Sequence, residues 1–310
     1  MSSRVLLLSL LAAALAGCID PAARVPRSRF MAGAAGVPGE RSNDPITRSY
    51  GPPVKLGNGT ARVYVLQDDA RGGLPFEVGV AMSESALEGL PAPMAMPMAD
   101  AGDHQHIDTH IYDLTMPERH ETPYQFVELD WNPGGHEPAR VYDVPHFDFH
   151  FYTVAREVRD AIDPARMSKE DYLAKSGSLP PESRRAPNYA ALSAPGTPIL
   201  AVPRMGTHWV DVRTPELQNL FGRAEAFRPF TTTFLRGSWD GNFIFDEPMI
   251  TRAFILGRKA ATSPAQRDSL IPLTQPKEYG ASGYYPSAYR ITYDAVAKEY
   301  RIALTQLERR

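Results

Sequence analysis

The stretch His146-Phe147-Asp148-Phe149-His150-Phe151-Tyr152 constrains the fold more than any other part of the chain. On an extended strand successive side chains point to opposite faces. Phe147, Phe149 and Phe151 therefore share one face, and His146, Asp148, His150 and Tyr152 share the other. Three phenylalanines at period two belong against an apolar core. Two histidines and a carboxylate this close to that core are costly unless they are paired. The segment predicts a strand with a core face and a polar face.

Similar strand-like stretches recur between turn residues: 60–66, 76–81, 107–114, 124–131, 207–212, 231–235, 242–245, 250–256 and 289–293. The 29 prolines and 23 glycines also favour a loop-rich β fold over a helical bundle. Helical signals are fewer. Val154, Val158, Ala161 and Ile162 form one apolar stripe, Ser168 with Asp171 reads as a capping box, and Thr214-Pro215 and Ser263-Pro264 read as helix starts. The expected architecture is mainly β. It is a single β-sandwich or barrel-like domain over residues 51–310, cupin-like among the alternatives, with a few short helices in its connections.

Imidazole and carboxylate suit zinc, copper, iron, nickel or manganese, so the polar face is a candidate metal site. His146 and His150 are four residues apart, about 13 Å on a regular strand, and cannot share one ion unless the strand bulges. Either His146 with Asp148 or Asp148 with His150 can. His208 and Glu247 are the natural partners from neighbouring strands. The alternative is a buried hydrogen-bond network in which Asp148 bridges two imidazoles and stiffens the sheet. His136, in a Pro-Gly-Gly context, reads as a turn residue.

Three long stretches carry a resemblance: Trp131-Asn132-Pro133, Gly135-His136-Glu137-Pro138 and Tyr142 through Tyr152. Shorter ones extend it: Gly79-Val80 through Leu87, Gly89-Leu90-Pro91, Pro203 through Asp211, Asp240-Gly241 and Glu247-Pro248-Met249. Together they resemble an uncharacterised family of secreted bacterial proteins over roughly residues 51–257, a family that implies no reaction. The strand is also similar to the His-x-His strand of cupins, but departs from it because Asp148 holds the second position.

A second candidate lies upstream, where Met94, Met96 and Met98 precede His104, His106 and His110. Thioethers favour Cu(I) and imidazoles Cu(II), so the segment is similar to soft-ligand stretches of copper-handling proteins. The plainer reading is a Pro/Ala/Met loop. Other chemistries lack support. There is no Gly-x-Ser-x-Gly elbow, phosphate-cradling loop, dinucleotide fingerprint or His-Glu-x-x-His helix. The formal net charge of −3 gives no basic face for nucleic acid.

The N-terminus reads as a lipoprotein signal over residues 1–17. Arg4 precedes an apolar run, Val5–Leu15, too short to span a bilayer of roughly 30 Å, and Leu15-Ala16-Gly17-Cys18 resembles a lipobox. Cleavage would remove one charge, Arg4, and shift the net charge from −3 to −4. Cys18 is the only cysteine, so the mature chain has no disulfide, thiolate site or cysteine nucleophile. By resemblance to Gram-negative lipoproteins, Ile19 after the cysteine favours the outer membrane. Residues 18–50 read as a lipidated flexible tether in which five arginines (Arg24, Arg27, Arg29, Arg41, Arg48) outnumber three acids.

The expected partner is therefore a membrane, through lipid, at the cell envelope. A homo-oligomer and a small-molecule ligand stay open, as does a non-catalytic, self-assembling role. Cys18→Ala should abolish incorporation of labelled palmitate. Undiminished labelling would refute the lipid anchor, since no second thiol exists.

Overall fold

Segments with apolar residues at every second position pair edge to edge, here into two antiparallel sheets. The computed structural model describes residues 45–93, 108–193, 199 and 201–310. The first sheet runs β1 (Ile46–Tyr50), β3 (Gly59–Asp68), β4 (Leu74–Ser83), β14 (Glu299–Arg309), β13 (Tyr284–Asp294) and β12 (Asp268–Pro272), with β2 (Val54–Leu56) also on β3. The second runs β5 (His110–Thr115), β6 (Phe126–Asn132), β7 (His146–Tyr152), β11 (Asn242–Thr251), β10 (Thr232–Trp239), β9 (Thr207–Asp211) and β8 (Tyr189–Ala191).

One buried cluster joins the two sheets. Val63, Val65, Val78, Val80, Ile302 and Leu304 of the first lie with Leu129, Phe147, Phe149, Phe151 and Ile250 of the second. The protein is mainly β and sandwich-like. The barrel-like alternative is not adopted, because each sheet keeps its own two edges. The helices are short and lie in connections: α1 (Arg156–Asp160), α2 (Lys169–Gly177) and α3 (Arg252–Ala260). Ser168 caps α2, its Oγ accepting from the Asp171 amide at 3.0 Å. Among the described residues no helix is long and apolar enough to cross a membrane.

Three expectations need correction. Residues 250–256 are not a separate strand: β11 runs on to Thr251, whose hydroxyl accepts from the Phe254 amide and starts α3. Thr214 makes no side-chain cap, and Pro215–Phe221 is a 3-10 helix. Structure begins before residue 51, within the stretch read as tether, because β1 pairs with β3. β1 is a short edge strand without strict alternation, and the Arg62 guanidinium lies 3.6 Å from the Tyr50 ring centre.

The outer faces of the two sheets differ. On the first, ion pairs such as Arg62–Glu299 and Arg301–Asp294 lie partly in solvent. On the second, loops and α2 contribute to two further apolar clusters. One contains Phe126, Tyr152, Ile162, Tyr172 and Phe245, the other Val141, Tyr142, Leu217, Phe230 and Met249. The polar face of β7 is therefore covered, and all seven residues of β7 are buried.

Phe149→Ala removes a side chain with no exposure from the shared core. It should cost about 3–5 kcal/mol in urea unfolding through the cavity left behind. A cost below about 1 kcal/mol would mean that the core face has been misidentified.

Candidate metal centre

The site is built from three adjacent strands whose alternation is in phase. In β6, Val127, Leu129 and Trp131 enter the core while Glu128, Asp130 and Asn132 point outward, directly opposite His150, Asp148 and His146 of β7. On the other side of β7, the register with β11 puts Glu247 and Met249 on the same outer face. β9 adds His208 across β10, opposite Gly237. Glu128, Asp130, Asp148 and Glu247 are four carboxylates within 1% of complete burial. Buried charges of this kind require counter-charges, protons or metal.

The first group is His136, His146 and Asp148, whose donor atoms lie within 4.8 Å of one another. His146 Nδ1 lies 2.6 Å from the Val144 carbonyl and His136 Nδ1 lies 2.7 Å from the Glu137 carbonyl. A carbonyl oxygen only accepts, so each Nδ1 carries a proton. Both rings then turn Nε2 toward Asp148: His146 Nε2 is 3.1 Å from Oδ1 and His136 Nε2 is 3.4 Å from Oδ2. The Asn132 amide donates to Asp148 Oδ2 at 2.7 Å, and its own oxygen accepts from the Thr109 hydroxyl at 2.6 Å, which fixes its orientation. His136 arrives from the β6–β7 loop. Gly135 allows this with φ of 77°, and a Cβ there would fall 2.3 Å from the Tyr142 carbonyl oxygen.

The second group is His150, His208 and Glu247, again within 4.8 Å. His150 Nε2 is 3.4 Å from Glu247 Oε1, and His208 Nε2 is 3.7 Å from Oε2. The Phe245 ring packs edge-on against both imidazoles, at 4.9 and 5.4 Å between centroids. Gly237 makes room for it, since a Cβ there would lie 1.9 Å from that ring. A third group, Glu128, Asp130 and His150, adjoins the second. In it Glu128 is already held by Arg159 and by Arg204 at 3.0 Å.

These separations bear on the chemistry. A charge-assisted N–H···O bond is about 2.7–2.9 Å long. Ligands at about 2.0–2.1 Å from a tetrahedral ion lie roughly 3.3 Å from each other. The four histidine–carboxylate distances, 3.1, 3.4, 3.4 and 3.7 Å, suit ligand edges better than direct ion pairs. Among the described residues, Asp148 Oδ1, Glu247 Oε2 and both oxygens of Asp130 are buried without a hydrogen bond.

The electrostatics point the same way. Burial, reinforced by neighbouring carboxylates, pushes Asp130 and Glu247 well above the usual carboxylate range. Burial also lifts Glu128 to about 7, against the pull of Arg159 and Arg204. Burial lowers His208 to about 4. Burial opposes the charge on Asp148 too, but His146 and His136 hold that carboxyl well below its ordinary value.

Residues 71–131 match the TTHB210-like family model, described as hypothetical protein TTHB210. The match supports an uncharacterised family and assigns no activity. It covers the stretch Gly79 to Pro91 and ends on Trp131, so the remaining stretches of the expected resemblance lie beyond it. No curated protein and no solved structure matches the chain.

The candidate residues named from sequence separate into two groups. His146 goes with Asp148, while His150 goes with Glu247 and His208, so the cupin-like assembly of one strand's histidines on one ion does not form. His136 is not a mere turn residue. Glu128 and Asp130 were also missed, although the alternation of β6 is as strict as that of β7. Of the upstream candidates, Met94, Met96, Met98, His104 and His106 lie outside the described residues. His110 pairs with Trp131, on the core face of the sheet and away from both groups. Cys18 likewise lies outside the described residues.

The raised carboxyls fix a pH dependence for metal-free protein. Each keeps in the fold a proton that the unfolded chain has already lost, so stability falls as pH rises from the ordinary value to the folded one, for Glu128 from 4.5 to about 7. His208 acts oppositely, but only between 6.5 and about 4. In EDTA, urea unfolding should therefore show a less stable protein at pH 8 than at pH 6.5. Greater stability at pH 8 would contradict the assignment.

Proposed function

We propose that this protein binds a divalent transition metal through His136 Nε2, His146 Nε2 and Asp148, as a lipid-anchored protein of the bacterial envelope. The observation that carries the metal reading is the paired tautomer. Both Nδ1 protons are donated to backbone carbonyls, which turns both Nε2 atoms toward one carboxylate. A metal-ligating imidazole commonly has this outer hydrogen bond. Two histidines and one carboxylate leave coordination positions open, as in catalytic zinc sites and non-haem iron sites. Those positions would take water or a small ligand. Zinc, iron, manganese, nickel and copper all accept this donor set. The envelope location rests on the lipobox and the tether.

The complete burial of His146 and of Asp148, at 0% and 1% exposure, favours a second reading in which the cluster is only an architectural network. Metal content separates the two. Full-length protein purified without a histidine tag should carry a stoichiometric transition metal, or take one up after chelation and reloading. His146→Ala should abolish binding at this triad. Asn132→Ala should weaken it about 10–100-fold by freeing the Asp148 carboxylate to rotate. Protein that stays metal-free under every loading condition supports the architectural reading.

A further inference from the structure

The second triad has the same composition as the first, two histidines and one carboxylate. We infer that His150, His208 and Glu247 hold a second metal ion, making the outer face of the sheet a two-ion centre. This rests on the metal reading of the first triad and extends it.

Strand geometry requires two ions and not one. His146 and His150, one in each triad, are four residues apart on one face, about 13 Å along β7. Ligands at about 2.0–2.1 Å cannot all reach a single ion across that span. None of the three groups combines members of both triads.

The Nε2 side of His150 is the better of its two neighbourhoods. On the Nδ1 side Asp130 Oδ2 is 3.8 Å away. Asp130 has no exposure, and neither of its oxygens accepts a hydrogen bond among the described residues. At 3.8 Å this contact is too long for a hydrogen bond. The remaining acid on that side, Glu128, is committed to Arg159 and Arg204. On the Nε2 side, Glu247 presents one oxygen to each histidine of the triad.

Access is comparable at the two places. Each triad has one histidine at its solvent edge, His136 with 10% and His208 with 11% of the side chain exposed, and two members enclosed. An ion reaching one site from solvent therefore has an equivalent route to the other.

Stoichiometry tests this. Full-length, untagged protein stripped with a chelator and reloaded with Zn(II) should contain two ions per chain by elemental analysis. Glu247→Gln keeps the side-chain shape and should leave one, as should Asp148→Asn, and the double variant should leave none. His208→Gln gives an independent check if Glu247→Gln fails to fold. Co(II) reloading of Glu247→Gln should halve the d–d absorption of the parent protein. A single ion that survives Glu247→Gln and disappears in Asp148→Asn would overturn the second site while leaving the first. Two ions that survive both substitutions, or no ion at all, would overturn both.

Discussion

Burial of β7 on both faces is the condition from which the rest of the structure follows. Its phenylalanine face is fixed by the sandwich core, where Phe147, Phe149 and Phe151 lie with valines of the opposite sheet. A one-residue slip would exchange the faces and bring His146, Asp148 and His150 into that core. The polar face is therefore not free to move, and its position in the third of seven strands keeps it far from either edge. Loops cover it with Tyr142 against His136 and Phe230 against His146, and β11 itself adds Phe245 against His150. Few waters can then share the solvation of four carboxylates. Glu128 has Arg159 and Arg204, and for the other three the histidines, protons or metal ions are the means left for balancing that charge.

Much of this was legible in the sequence, and the reason is periodicity. β7 and β6 carry their core faces at every second residue, so their existence and facing follow from the residue pattern, whereas β11 has no clean alternation and only its two ends read as strand. The assignment of His208 and Glu247 to the same face also follows once the strands are placed. The omission of Glu128 and Asp130 was avoidable, because Val127, Leu129 and Trp131 alternate with them as strictly as the phenylalanines alternate in β7. By contrast, β1 and β8 are short, half-exposed edge strands with no period to read, and pairing alone defines them.

His136 belongs to a different class of failure. Local sequence places it in a turn, correctly, but not where the turn leads. The loop between β6 and β7 reverses on itself, with the His136 amide donating to the Tyr142 carbonyl at 3.2 Å and the Gly135 amide to the Asn132 carbonyl at 3.3 Å. Only that reversal brings the ring over Asp148, 4.7 Å from the His146 ring. The two glycines before His136 were the available signal. They mark a place where the chain needs a conformation that side chains oppose, but not which residue the turn delivers.

The division into two triads is a consequence of strand geometry more than of residue choice. The histidines at positions i and i+4 of one strand cannot converge on a point, so each completes its own set with at least one residue from off the strand. His146 uses the adjacent Asp148 and a loop that folds back. His150 uses the neighbouring strand β11 for Glu247 and β9, the third strand along, for His208. Asp148 and Glu247 then lie close enough for each to raise the cost of ionising the other, as the upward pressure of Asp148 on Glu247 shows. A cation at either triad relieves that repulsion at both. The two positions are therefore linked through charge even without a shared ligand.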